Sequence, residues 1–166
     1  MYRYQILIEY VGTSYVGWQI QKNGNSIQKT IQLALSKVLG KKIILYGSGR
    51  TDAGVHAIEQ SAHFDIKNKI QNIDRTVKSL NFFLNNKMIS IIKIKKKNIN
   101  FHARHSAKKR IYLYVIQNRL SPSTINKDRE WHIRKKLDIN LIKKGCKKLV
   151  GTNDFSTFRA SNCSAK

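Results

Sequence analysis

The chain has 166 residues, 41% of them hydrophobic, with 32 Lys and Arg against 9 Asp and Glu for a formal net charge of +23. That length suits one domain or two small ones with a genuine core, and so large a positive excess points to a polyanionic partner, with nucleic acid the natural choice. No apolar run approaches membrane-spanning length, the N-terminus carries no signal-peptide apolar region, and Cys146 and Cys163 lack the spacing of a disulfide framework or a thiolate metal site.

A soluble cytoplasmic protein, with no membrane and no metal, is therefore the expectation. Lys, Asn and Ile dominate the composition, so coding bias competes with selection for binding as the source of the charge.

Tyr4, Ile6, Ile8 and Tyr10 alternate with Arg3, Gln5, Leu7 and Glu9, which predicts a strand of period two. Val11-Gly12-Thr13-Ser14 is a loop. Tyr15-Val16-Gly17-Trp18-Gln19 then places two aromatics together, either as a packing cluster or as a stacking surface for bases. Ser26 caps a helix with Ile27, Ile31, Ala34, Leu35 and Val38 on one face, and Gly40 ends it.

Ile43-Ile44-Leu45-Tyr46 reads as a short buried strand and 57–64 as another. Between them lies Gly47-Ser48-Gly49-Arg50-Thr51-Asp52-Ala53-Gly54-Val55-His56-Ala57. Its glycines suggest backbone at positive φ or in close approach to something else. It carries one cation, Arg50, and a carboxylate, Asp52, in a chain poor in carboxylates. Asp52 could simply cap its own turn. No Gly-Lys-Ser/Thr follows and no helix opens, which excludes a phosphate loop and a dinucleotide fingerprint.

A second helix is predicted over about 74–84, with Val77, Leu80, Phe83 and Leu84 inward, and a strand over 88–94. The order β-α-β-β-α-β predicts an α+β, ferredoxin-like or RRM-like first half, without the aromatic signature of an RNA-stacking RRM. Lys93, Lys95, Lys96 and Lys97 form a basic run that by itself reads as a solvated face. His102 and His105 are three apart with no further ligand in view, short of the four zinc wants.

The stretch 108–117 predicts a long strand with Tyr112 and Tyr114 on one face, docking on the first half's sheet and extending it. Ser121-Pro122-Ser123 marks a turn, followed by a polar surface segment to Trp131. Asp138 caps a third helix, ended by Gly151, with Leu141, Ile142, Cys146 and Leu149 inward, which makes Cys146 a core residue. The expected division is a domain over 1–100 holding the Gly-rich loop, and the incomplete start of a second α/β domain over 101–166.

Gly49-Arg50-Thr51-Asp52-Ala53-Gly54-Val55-His56 resembles the signature of the tRNA pseudouridine synthase A family. Tyr10-Val11-Gly12-Thr13-Ser14-Tyr15-Val16-Gly17-Trp18-Gln19, Phe101-His102-Ala103-Arg104 and the motif from Thr152 to Arg159 are similar to further motifs of that family. The resemblance implies a pseudouridine synthase fold and an isomerase without a cofactor. It implies Asp52 as nucleophile, attacking C1′ or C6 of the target uridine. Arg50 would stabilise charge near Asp52 or fill the space of an extruded nucleotide. Tyr112 would stack on the uracil and help remove the C5 proton. Tyr112, Arg104, Tyr114, Gly49 and Thr51 would contact substrate.

The implied substrate is tRNA, at uridines 38, 39 and 40 of the anticodon arm, bound across a homodimer. Family members also carry a further segment that completes the second half and lines the pocket with a basic and an apolar residue. Without it, the chain is expected to bind tRNA but turn over slowly. The competing reading is a non-catalytic basic RNA-binding remnant. Charge alone would also allow a ribosome-associated basic protein.

Overall fold

The computed structural model describes residues 1–158; Cys163 and Arg159, the last residue of the 152–159 motif, lie outside them. The elements run β1 (Tyr2–Tyr10), α1 (Ile27–Leu39), β2 (Leu45–Gly47), β3 (Ala57–Ile66), α2 (Ile73–Leu84), β4 (Ile89–Lys97), β5 (Ile116–Asn118), β6 (Trp131–Ile133) and α3 (Ile139–Lys148). They group into two compact units, Met1–Leu113 and Tyr114 onward. No helix among the described residues is long and apolar enough to cross a membrane.

In the first unit, four strands form one sheet in the order β2-β3-β1-β4, every neighbouring pair antiparallel. The alternation in β1 decides which side chains enter the core. Tyr4, Ile6, Ile8 and Tyr10 are at most 2% exposed. They share one apolar cluster with Leu45, Ala62 and Phe64 of the sheet, Ile27, Ile31 and Leu35 of α1, and Leu80 and Leu84 of α2. Burying each large aliphatic chain contributes roughly 1.5–3 kcal/mol.

Both helices start where a side chain accepts an orphan backbone N–H. Ser26 Oγ accepts from Lys29 N at 3.3 Å, and Asn72 Oδ1 accepts from Arg75 N at 2.8 Å. Gly40 ends α1 at φ 66°, where a Cβ would be strained. The buried stripe of α2 is Thr76, Leu80 and Leu84. Phe83 falls at its edge, 37% exposed, with the Lys37 ammonium 4.4 Å from its ring centroid; it is not the inward residue predicted.

The face of the sheet away from this core is polar. The register sets Lys93, Lys95 and Lys97 of β4 opposite Leu7, Gln5 and Arg3. The basic run is therefore part of an edge strand, where lysines also discourage pairing with another chain. Directly across β1 and β3, Arg3 donates to both carboxylate oxygens of Asp65, at 2.8 and 2.7 Å. Its remaining nitrogen donates to the carbonyls of Ile99 and Phe101, at 2.6 and 2.7 Å. One guanidinium thus ties the stretch after β4 to this face.

The chain from 108 onward corrects two expectations. Residues 108–115 are not a strand. β5 covers only Ile116–Asn118, and it pairs in parallel with β6 as a separate two-stranded sheet, so the four-stranded sheet is not extended. A strand persists only where a neighbour accepts its backbone hydrogen bonds, and Ile111 and Leu113 stand 89% and 73% exposed.

α3 forms with Asp138 Oδ1 accepting from Leu141 N at 2.9 Å, yet it buries no residue. Leu141 is 66% exposed, and Cys146 is exposed rather than part of a core. An amphipathic stripe requires an apolar surface opposite it, and among the described residues the second unit contains no buried side chain.

Candidate active site

The Gly-rich loop joins β2 to β3 and spans 48–56. The register Tyr10↔Ala57 brings its end beside the end of β1, where the Tyr10–Gln19 motif begins. Within the loop, Val55 N donates to the backbone carbonyl of Asp52 at 3.2 Å and closes a turn. Gly54, third in that turn, has φ 80°, a conformation that favours glycine. The turn is closed by the main chain, so the Asp52 carboxylate is not its cap.

The N-terminal motif holds this loop from one side. Trp18 N donates to Thr51 O at 3.0 Å, and Gly54 N donates to Tyr15 O at 3.4 Å. The hydroxyls of Tyr10 and Thr51 are hydrogen bonded at 2.9 Å, and Gly12 N donates to His56 Nδ1 at 3.0 Å. Two glycines permit the approach. A Cβ on Gly17, at φ 102°, would lie 2.5 Å from Thr51 O and 3.1 Å from the carbonyl carbon of Asp52. A Cβ on Gly12 would run into the carbonyl of Val55.

Tyr15 and Trp18 are 8% and 3% exposed. They are packing residues, which settles the choice against a base-stacking surface. Burial pushes the Tyr10 hydroxyl up in pKa against the opposing hydrogen bond to Thr51, so it stays protonated.

The other side is held by Gln60 Nε2 donating to Gly49 O at 2.8 Å, Ser48 N donating to Ser61 O at 2.8 Å, and Arg110 Nη2 donating to Ser48 O at 3.3 Å. The backbone on both flanks of Asp52 is thereby fixed. Arg50 and Asp52 are exposed, and among the described residues no hydrogen bond or ion pair engages either side chain. The result is a rigid loop presenting one carboxylate and one guanidinium to whatever binds.

A second motif docks on the polar face of the same sheet. His63 of β3, 1% exposed, accepts the Ala103 N–H on Nδ1 at 3.2 Å. His102 Nδ1 accepts from Arg104 N at 3.2 Å and His105 N at 3.4 Å. Ring centroids are 5.1 Å apart for Tyr46 and His63, 4.6 Å for His63 and His102, and 4.4 Å for His102 and His105.

Burial first, then the nearby Arg3 and His102, lower the His63 pKa to about 4; Asp65 and the Tyr46 backbone pull the other way. Arg104 rides on this turn with its side chain exposed.

The predicted site residues thus fall in four places. Gly49, Arg50, Thr51 and Asp52 share one loop. Arg104 sits on the histidine-held turn. Tyr112, 74% exposed, follows Arg110, whose guanidinium reaches the start of the loop. Tyr114, 84% exposed, belongs to the second unit.

The supporting roles of Gly12, Gly17 and His63 were not read from the sequence. Two glycines interleaved with aromatics, and a histidine inside an apolar strand, were the available signals.

Residues 6–106 match a family model described as tRNA pseudouridine synthase. The chain is 67% identical over 166 residues to the tRNA pseudouridine synthase A of Pelagibacter ubique (strain HTCC1062), covering 100% of this chain and 68% of that protein. It is 44% identical over 167 residues to the protein of the same name from Ehrlichia ruminantium (strain Welgevonden), and 41% over 167 residues to that from Anaplasma phagocytophilum (strain HZ). Each of these matches covers 99% of this chain and 67% of the relative. Because the identity is sustained along the whole sequence, and the family match takes in both the β2–β3 loop and the turn that carries Arg104, the chain belongs to the tRNA pseudouridine synthase family.

Proposed function

We propose that the protein is an isomerase that converts uridine to pseudouridine at positions 38, 39 and 40 in the anticodon arm of tRNA, with Asp52 as its nucleophile. The observation that carries this reading is the loop itself: backbone braced on both flanks, carboxylate exposed. A preorganised nucleophile on a rigid support is what such chemistry needs.

The reaction breaks N1–C1′, turns the uracil and joins C5 to C1′. If Asp52 attacks C1′, the uracil leaves as an anion, and C5 then displaces the carboxylate. If it attacks C6, the adduct carries the base through its turn, and loss of the C5 proton re-forms the C5–C6 double bond and expels the carboxylate. Either way the C5 proton must leave, and Tyr112 is suited to stack on the ring and assist that step. Arg50 would stabilise the developing charge or occupy the vacated stack. Arg104, Tyr114, Gly49 and Thr51 complete the substrate contacts. The net change is redox-neutral and calls for no cofactor.

We read the first unit as a ferredoxin-like domain, on the strength of its β-α-β-β-α-β order and β2-β3-β1-β4 sheet. Within that unit we assign 1–100 to the ferredoxin-like domain that holds the catalytic loop, with 101–166 beginning the second α/β domain. Lys93, Lys95 and Lys97 on the polar face suit phosphate contacts. A cytoplasmic homodimer, with one tRNA spanning both subunits, is the assembly we propose.

The test is to incubate the purified chain, in excess, with a tRNA bearing uridines at 38, 39 and 40, and map products by carbodiimide treatment and primer extension. Pseudouridine at these positions, and its loss when they are replaced by cytidine, is expected. No pseudouridine, or pseudouridine only elsewhere, would overturn the proposal.

A further inference from the structure

We propose that His63 and His102 are positioning residues for Arg104: two neutral imidazoles that clasp the 103–105 turn by its backbone and let it go when protonated. The inference rests on the reading of Arg104 as a substrate contact.

Three successive backbone N–H groups, those of Ala103, Arg104 and His105, all end on imidazole nitrogens. At the start of a turn such groups are ordinarily met by Ser, Thr, Asp or Asn, whose oxygens accept across the neutral pH range. An imidazole nitrogen accepts only while it carries no proton. With Nδ1 accepting in both residues, each ring must be the neutral tautomer protonated on Nε2. Protonation of either ring turns its acceptor into a donor facing another donor, and the clasp is lost.

The surroundings reinforce the neutral state. Facing the pair are Arg3 from β1, Tyr46 from β2, Asp65 from β3 itself, and Arg104 and His105 from the turn. Phe101 meets His63 edge-on, with centroids 6.1 Å apart, and Lys97 from β4 holds its ammonium 5.2 Å from the Phe101 centroid. The carboxylate in this group, Asp65, is already engaged by two of the three Arg3 nitrogens. Added charge on the histidines would therefore meet mostly cations. Burial heads the causes that lower the pKa of each ring, and His63 reaches about 4. His102, half-buried where His63 is buried, is the more accessible of the two to solvent protons.

The experiment compares tRNA dissociation constants at about pH 7.5 and about pH 4.5, low enough to protonate a ring held below the ordinary histidine range, for the full chain and for His102→Asn. Asn places a non-titrating acceptor near the position of Nδ1. The wild type should lose roughly tenfold in affinity on acidification, the equivalent of one or two hydrogen bonds; in His102→Asn the loss should shrink to under about threefold.

Amide hydrogen exchange of 103–105 is read in the same samples. Protection should fall with pH in the wild type and stay flat in the variant. Equal pH dependence of both readouts in the two proteins would overturn the proposal.

Arg104→Gln separates the premises. If it leaves affinity unchanged, Arg104 is not a contact, and exchange protection alone decides the clasp. If it weakens affinity while exchange protection is insensitive to pH in the wild type, the contact stands and the clasp falls.

Discussion

The α-carbon of Gly17 faces the carbonyl oxygen of Thr51 so closely that a Cβ on Gly17 would stand 2.5 Å from it. One residue on, Trp18 N donates to that same oxygen at 3.0 Å. The peptide entering Asp52 is therefore seated by a segment distant in sequence, and the position of the carboxylate is set by the N-terminal motif as much as by its own loop.

Gly17→Ala should accordingly act on catalysis more than on binding. Relief of the clash requires the loop to shift by on the order of 1 Å, a displacement that costs about a hundredfold in rate where reacting groups must be aligned. The positive φ of 102° adds strain, so stability should fall by roughly 1–3 kcal/mol. Single-turnover pseudouridine formation beside tRNA gel-shift and urea denaturation would check this. Gly40→Ala is the control. It also has positive φ, at 66°, but meets nothing within 4 Å, and should lose stability without the same loss in rate.

Stability should depend on pH through His63. Its folded pKa, about 4, lies below the 6.5 of a free histidine. Between those values the unfolded chain binds a proton that the folded chain refuses, so the contribution is full above about pH 6.5 and is lost as pH falls toward 4. From about pH 7 to about pH 5 the loss is on the order of 2 kcal/mol. Urea midpoints across this range should fall for the wild type and flatten for His63→Phe. An identical slope in the two would show that another group governs the acid transition.

Binding should be strongly sensitive to salt. If about 5 phosphates are neutralised, log affinity against log salt should have a slope of about −4. Replacing Lys93, Lys95 and Lys97 together with Gln should reduce the slope by roughly 2–3. A slope unchanged by the triple substitution would place the phosphate contacts elsewhere on the molecule.

How far the structure could be read in advance varied with the kind of information each feature needs. β1 and the first two helices were legible because period-two and period-3.6 patterns report directly which side chains are buried. The stretch 108–117 shows the same alternation, yet only Ile116 and Gln117 of it lie in a strand. Alternation states what a strand would bury, not whether a neighbour exists to pair with it. α3 follows the same logic, and Cys146 on it is exposed.

At the site, the loop stood out because Arg50 and Asp52 sit among glycines. The seat under it did not, because the contacts of Gly12 and Gly17 with Val55 and Thr51 are tertiary. His63 falls by alternation on the polar face of β3; its burial is completed by the 99–107 stretch packed over it, which no local pattern announces.

The central claim is that Asp52 is the nucleophile, and its most direct test is the single-turnover rate of tritium release from tRNA labelled at C5 of uridine, for the wild type and Asp52→Asn. The amide keeps the shape of the carboxylate but cannot form and break the bond to carbon. Neither carboxylate oxygen of Asp52 holds the fold, since the side chain is exposed and the turn is closed by the backbone carbonyl. The account predicts that release is abolished while tRNA binding and the urea midpoint stay near those of the wild type. Release by Asp52→Asn at a rate within about tenfold of the wild type would contradict it.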